Sequence, residues 1–339
     1  MTESATMVAP DARPRHSPRI GVVIPYFQRA PGLLRRALSS VAQQEHTPAQ
    51  VVVVDDGSPR AAAEEITPRL RDALPGLTVV SQANRGIAAA RNAALDALAD
   101  DVSAVALLDS DDYWEPGHLR NAATALSLGA DFYFANSRAE GGADYFDEHP
   151  RRDLLYQCQP VPGGSGIRRW SGTVSALFGA GCVFATPAVV FRRDTKPDLR
   201  FSLQFRRAGE DQVAFWELLL RASEVMFCLE PTVVIGSGGL GTWRNSTLGS
   251  AQNLVRLADE IRMRRHVLNT CPVSPEDRYQ IQGAIARRRQ AALQSVLHLV
   301  RRRRNVLREV LYLMQSDPWC AASWCVDLPK FVYRYYTAP

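Results

Sequence analysis

Four short apolar runs in the first third of the chain constrain its fold more than any other feature. They are "IGVVIP" (20–25), "QVVVVDDGS" (50–58), "LTVVS" (77–81) and "VSAVALL" (102–108). Each is rich in β-branched or small apolar residues and too short for a buried helix. Helical stretches separate them. "APGLLRRALSSVAQQ" places Leu34, Leu38 and Val41 on one face, and "GIAAARNAALDALA" (86–99) is built from strong helix formers. Continuous apolar strands alternating with helices predict an α/β fold with a mainly parallel central sheet covered on both faces. In such sheets ligands bind beyond the carboxyl ends of the strands. Two runs end in acids at that edge: "VVVVDDGS" and "VALLDSDD".

Beyond residue 130 the pattern loosens. "DFYFANS" (131–137) reads as a strand, residues 138–172 as a polar, Gly-rich loop excursion, and "CVFATPAVVFRR" (182–193) as one or two strands. "GEDQVAFWELLLRA" (209–222) is a helix with acids in its first turn. Residues 1–18 are polar and Pro-rich and read as a disordered leader without the apolar core of a signal peptide. Six cysteines without metal-finger spacing suit reduced thiols in a cytoplasm.

Asp109-Ser110-Asp111 at a strand end is a hard-oxygen site of the kind that Mg²⁺ or Mn²⁺ shares with substrate phosphates. Taken alone it equally describes an acidic turn, with Asp112 capping a helix that starts near Pro116. "GSGGLG" (236–241) matches a dinucleotide fingerprint, but no βαβ unit surrounds it.

The order of the blocks adds what no single block carries. "VVIPYFQR", "VVVVDDGSP", "NRGIAAARNAAL", "LLDSDDYWEP" and "GEDQVAFW" follow one another at regular intervals. Over residues 20–250 the chain resembles the family 2 glycosyltransferases of the GT-A fold, with Gln28 where the family usually has Asn. Within that family "VVIPYFQRAPGLLRRALSSV" is most similar to glucosyltransferases of succinoglycan-type exopolysaccharide assembly.

The resemblance implies a GT-A catalytic domain over 19–250, with a nucleotide-binding half (19–130) and an acceptor half (131–250), and a helical extension over 251–339. It implies a base pocket lined by Pro25, Tyr26 and Phe27, with Asp56 bonding the uracil ring and Arg91 beside base and diphosphate. Asp109 would meet the ribose and, with Ser110, flank the metal. Asp111 would hold Mg²⁺ or Mn²⁺ on the diphosphate, Arg244 would clamp that diphosphate, and Asp211 would be the catalytic base. The implied reaction is an inverting, metal-dependent hexosyl transfer from a UDP-sugar, UDP-glucose, to a glycan or lipid-linked oligosaccharide acceptor.

Two other readings stand beside it. A sugar-nucleotide pyrophosphorylase also uses acidic metal ligands on an α/β sheet, but "IPYFQRAPG" lacks its Gly-rich loop. A nucleic-acid-binding role for Arg287–Arg289 and Arg301–Arg304 leaves the ordered acidic blocks unexplained, so no nucleic acid is expected. Net charge is +5: the segment from Gln280 onward carries +7 and the rest of the chain −2. That basic tail carries apolar residues at helical spacing and ends in aromatics. It predicts a cytoplasmic protein whose tail is either held peripherally on the anionic inner face of the membrane or packed on the catalytic domain with its arginines solvated.

Overall fold

The computed structural model describes residues 17–74, 76–150, 152–178, 182–205, 208–238, 249–270, 273 and 275–337, with side chains to 329. Strands and helices alternate through the first third as predicted: β1 (Ile20–Tyr26), α1 (Leu33–Ala42), β2 (Gln50–Asp56), the short α2 (Ala62–Glu65) and α3 (Pro68–Ala73), β3 (Leu77–Gln82), α4 (Ile87–Asp96) and β4 (Ala104–Leu107). Then come β5 (Tyr113–Trp114), α5 (His118–Ser127) and β6 (Phe132–Ala139).

Residues 138–172 are not the open loop that their polarity suggests. They form α6 (Tyr145–Glu148), α7 (Arg152–Gln157), β7 (Gln159–Pro160) and β8 (Ile167–Arg169). Phe146, Leu155, Ile167 and Trp170 are buried anchors of this region. Their irregular spacing leaves no period to read. One strand, β9 (Val189–Arg192), occupies 182–193, preceded by a 3₁₀ turn at Thr186–Ala188. The helix α8 (Glu210–Leu219) and the long β10 (Val225–Ile235) complete the sheet. Four helices end the chain: α9 (Ala251–Thr270), α10 (Pro275–Arg301), α11 (Leu307–Ser316) and α12 (Trp319–Thr337).

The sheet runs β3-β2-β1-β4-β9-β6-β10-β8-β7, with β5 also on β10. β3, β2, β1 and β4 are mutually parallel. β9 is antiparallel to both β4 and β6, and β10 is parallel to β6. The long strands therefore share one direction, with β9 reversed among them. The chain leaves β1 toward β2 and β3, then returns to place β4 on the other side of β1. That reversal of winding opens a crevice beyond the ends of β1 and β4, where such folds bind ligands.

Side-chain alternation sends each strand into two cores. Val22 and Ile24 of β1 and Val51 and Val53 of β2 join one core with Leu34, Leu38 and Val41 of α1. Val23, Val52, Val54 and Val105 join the other, with Ala88, Ala90 and Ala94 of α4. Burial on both faces is why these strands are apolar throughout. β3 is the exception, an edge strand with exposed Thr78 and Ser81. The second core extends without a break into Leu257, Ile261, Ile281, Ile285 and Leu313 of α9–α11, so these helices close over the α4 face.

Candidate active site

The loop after β1 is fastened to the loop after β2. The Gln28 backbone N–H donates to Ser58 Oγ at 2.9 Å, and that hydroxyl donates back to the Gln28 carbonyl at 2.9 Å. Asp55 turns the chain by accepting from the N–H groups of Ser58 (2.8 Å) and Ala62 (2.7 Å). Gly57 has φ +64, and a Cβ there would lie 2.9 Å from the Asn84 nitrogen, so the turn needs glycine. Gln28 then reaches over to Ser110, donating from Nε2 to Oγ at 3.2 Å. The departure from the usual Asn thus links the first loop to the acidic loop after β4.

Asp56 is 3% exposed. Its Oδ1 accepts from Gln82 Nε2 (2.7 Å) and the Arg85 N–H (2.8 Å), and its Oδ2 from the Gly86 N–H (2.8 Å). It anchors the entry to α4. Pro25 is buried, and Tyr26 is a core residue at 1% exposure; Phe27 alone of the three reaches the surface in part. A contact from Pro25 or Tyr26 to a base would therefore run through backbone rather than ring.

Arg91 organises the centre. The alanines around it let α4 lie close to the sheet, and its guanidinium is 2% exposed. It donates to Asp109 Oδ1 at 2.8 Å and to Glu210 Oε1 at 3.0 Å, joining the end of β4 to the start of α8. The Phe201 ring lies beneath it, 5.4 Å from the guanidinium carbon. Burial opposes the charge, but Asp109, Glu210 and Asp211 together outweigh it and hold Arg91 more firmly protonated than a free arginine. Breaking such a buried network by deleting one member costs about 3–5 kcal/mol. Glu210, which sequence reasoning left without a role, is pushed up to about 7 by burial and by the neighbouring Asp211 charge, against the pull of Arg91.

Asp211, one residue on, is partly exposed at the start of α8. Its Oδ2 accepts from Thr186 Oγ1 at 2.7 Å and its Oδ1 from the Gln212 N–H at 2.7 Å. Thr186 was not singled out from sequence; a lone Thr-Pro before a strand carries no signal of its partner.

The acids of "DSDD" separate into different environments. Asp109 and Asp111 are partly exposed, whereas Asp112 is 5% exposed and accepts from the Gly236 N–H at 2.8 Å. Asp112 does not cap a helix: α5 starts at His118 behind Gly117. Burial, then the charges of Asp109 and Asp111, push its carboxyl well above the usual range. Arg36 donates to the Asp111 carbonyl at 2.7 Å and pairs with Glu140. Gly236 packs so tightly that a Cβ there would fall 1.9 Å from the Asp111 carbonyl oxygen. This contact, not a dinucleotide fingerprint, accounts for the first glycine of "GSGGLG".

The structure thus brings Arg91, Asp109, Glu210 and Asp211 into one electrostatic group, with Ser110 and Asp111 next to Asp109 on the same loop and Asp56 fastened at the loop after β2. Arg244 lies outside the described residues. Among those described, no three His, Cys, Asp or Glu side chains converge closely enough to hold a metal unaided. The donors of Asp109 and Asp111 are all hard oxygens, on the partly exposed side of the loop. That combination fits Mg²⁺ or Mn²⁺ completing its shell on a diphosphate.

The sequence model for "Glycosyl transferase family 2" matches residues 21–191. The chain belongs to that family. It is 32% identical over 237 residues to the succinoglycan biosynthesis protein ExoW of Rhizobium meliloti, spanning 65% of this chain and 69% of that protein. This agrees with the likeness noted in the first strand and helix, and membership sets aside the pyrophosphorylase reading. Among solved structures, S. aureus TarS superposes with a TM-score of 0.56 at 18% identity, covering 80% of this chain and 43% of TarS. A shorter TarS structure in complex with UDP-GlcNAc gives 0.51 at 17% identity, covering 89% of this chain and 91% of that one. The mannosyltransferase PcManGT of Pyrobaculum calidifontis, in complex with GDP-Man and Mn²⁺, gives 0.55 at 19% identity, covering 98% and 86%. These likenesses establish the GT-A fold.

Proposed function

We propose that this chain is an inverting, metal-dependent glycosyltransferase that moves glucose from UDP-glucose to a hydroxyl of a growing exopolysaccharide repeat unit on a lipid carrier. The observation that carries the reading is the Arg91 bridge: one buried guanidinium holds the acidic loop after β4 against the acidic start of α8. In this reading the loop after β4 would carry the metal and diphosphate, and the start of α8 the base. The TarS complex with UDP-GlcNAc and the PcManGT complex with Mn²⁺ support the donor class and the cation. The ExoW relative supports the product class.

In this reading Asp211 takes the proton of the acceptor hydroxyl. The acceptor oxygen bonds the anomeric carbon, the bond from that carbon to the diphosphate oxygen breaks, and its electron pair leaves with the diphosphate. A single displacement turns an α-linked donor into a β-glycoside. A cation held by Asp111 and Asp109 would supply Lewis-acid neutralisation of the departing charge. Thr186 holds the base in line, and Arg91 keeps Glu210 from competing for that role. A lipid-linked acceptor would bring the protein to the cytoplasmic face of the membrane. The test is a donor screen for slow hydrolysis with Mn²⁺, which needs no acceptor. UDP-glucose should lead among UDP-sugars; turnover of GDP-mannose alone, or of no sugar nucleotide, would overturn the donor assignment.

A further inference from the structure

The C-terminal helices bury one side and leave another bare. Ile281, Ile285, Leu293, Leu299 and Leu313 enter the core. The arginines nearest them are engaged internally: Arg288 pairs with Glu260, and Arg265 and Arg289 with Asp317. These residues hold the helices to one another and remove part of the basis for nucleic-acid binding.

The opposite side has a different make-up. Val300 is 57% exposed, Leu307 62%, Leu311 53%, Trp319 64% and Val326 61%. Leu307 and Leu311 stand one turn apart on the same face of α11. From Trp319 to Pro329 the one charged residue is Asp327, which is half-buried. An apolar helix face of this kind marks an interaction surface rather than ordinary solvated structure.

The turn between α10 and α11 supplies the complementary feature. Arg301, Arg302, Arg303 and Arg304 are all exposed, and Arg308 follows on α11. Arg303 has φ +53, the one positive φ at a non-glycine among the described residues. The Arg304 N–H closes this turn on the Leu299 carbonyl at 3.0 Å, an end where glycine is usual. A positive charge is kept there although glycine would relieve the backbone.

We infer that the α10–α11 turn and the exposed faces of α11 and α12 form a docking surface for an anionic lipid bilayer. The arginines meet headgroup phosphates while Leu307, Leu311, Trp319 and Val326 enter the acyl boundary. No helix among the described residues is long and apolar enough to cross a membrane, so the contact is with the surface. A second copy of the chain would offer this face the same cations; an anionic bilayer offers the opposite charge. The inference gives the membrane location proposed above a defined surface and does not depend on the donor assignment.

The test is flotation of the full-length protein with vesicles of phosphatidylcholine mixed with phosphatidylglycerol, and of phosphatidylcholine alone. Binding should be confined to the anionic vesicles and fall as salt is raised. Arg302→Ser, Arg303→Gly and Arg304→Ser combined should lower the partition coefficient on the order of 100-fold at low salt. Trp319→Ser with Val326→Ser should weaken binding at every salt concentration. All these positions point outward, so melting temperatures should hold, and hydrolysis of soluble UDP-sugar should be unchanged in each variant. Three results would overturn the inference: no flotation of the parent protein with anionic vesicles, equal flotation of the arginine variant, or a dimer in gel filtration that the Trp319/Val326 variant dissolves. The vesicle result stands whether or not the UDP-sugar reading survives its own assay.

Discussion

Replacing Arg91 with Met should destabilise the fold in a way that depends on pH. Methionine keeps much of the side-chain length but strands two carboxylates, Asp109 and Glu210, that now lie 2.8 and 3.0 Å from the guanidinium. Deleting one partner of a buried ionic network costs about 3–5 kcal/mol. The sign of the pH term follows from Glu210. Its folded value of about 7 lies above its ordinary value of 4.5. Between those values the unfolded chain therefore binds fewer protons, and parent stability falls as pH rises from 4.5 to 7. Without Arg91 the folded value climbs further, so in the variant the fall continues above 7. The stability difference between parent and variant should then be smallest below pH 6, where Glu210 is protonated in both. It should grow by up to about 1.4 kcal/mol per pH unit above 7. Urea denaturation at several pH values measures it. Arg91→Met with Glu210→Gln should recover much of the loss at pH 8, since the stranded charge is gone. A loss that does not vary with pH, or a double variant no more stable than the single, would refute the reasoning.

Other outcomes follow from the same geometry. Asp211→Asn should lower turnover by about 10²–10⁴-fold while leaving UDP affinity nearly intact, checked by steady-state kinetics beside a UDP titration. Asp111→Asn should keep the fold but raise the Mn²⁺ concentration needed for half-maximal rate; an unchanged metal requirement would move the ligand elsewhere. Gly236→Ala must displace the Asp111 carbonyl or β10, because the new Cβ would fall 1.9 Å from that oxygen. It should cost roughly 1–3 kcal/mol and weaken donor binding together, read by melting and by UDP titration.

What could be read in the chain divides along physical lines. β1, β2 and β4 were legible because burial on both faces makes a strand apolar throughout, α4 because it is built of strong helix formers, and α8 because burial of one face imposes a period; all three signals are local. The acids at the strand ends were legible because a fold of this class puts its ligand there. The Arg91–Glu210 pair was not, since its members stand 119 residues apart and only the winding of the sheet joins them. Gln28 showed as a departure from the family pattern, but its bond to Ser110 depends on β1 and β4 lying side by side. The tail marks the limit of periodicity most clearly. Ile281 and Val300 both fit one helical repeat, yet the first is 6% exposed and the second 57%. Amphipathic spacing states that a helix has an apolar side; it does not state whether protein or lipid covers it.

The three aspartates at the mouth of β4 show how like charges are tolerated so close together. They are not equivalent, because each is held by a different part of the fold. Asp109 is balanced by Arg91 from α4. Asp111 lends its carbonyl to Arg36 from α1, which brings a cation to the loop. Asp112 is buried against the Gly236 N–H, and burial, with the charges of Asp109 and Asp111, raises its carboxyl so that it gives up its charge more readily than a free aspartate. Repulsion is thus met by one ion pair, one backbone contact and one carboxyl with weakened ionisation. Asp109 and Asp111 stand on the partly exposed rim, where a divalent cation and a diphosphate would add to that balance. A cation bound on that rim would couple to the stability of the fold. Binding to the folded state alone stabilises it by mass action, so Mn²⁺ should raise the melting temperature of the parent protein and do so less in Asp111→Asn. Equal shifts in the two proteins would place the cation away from this loop.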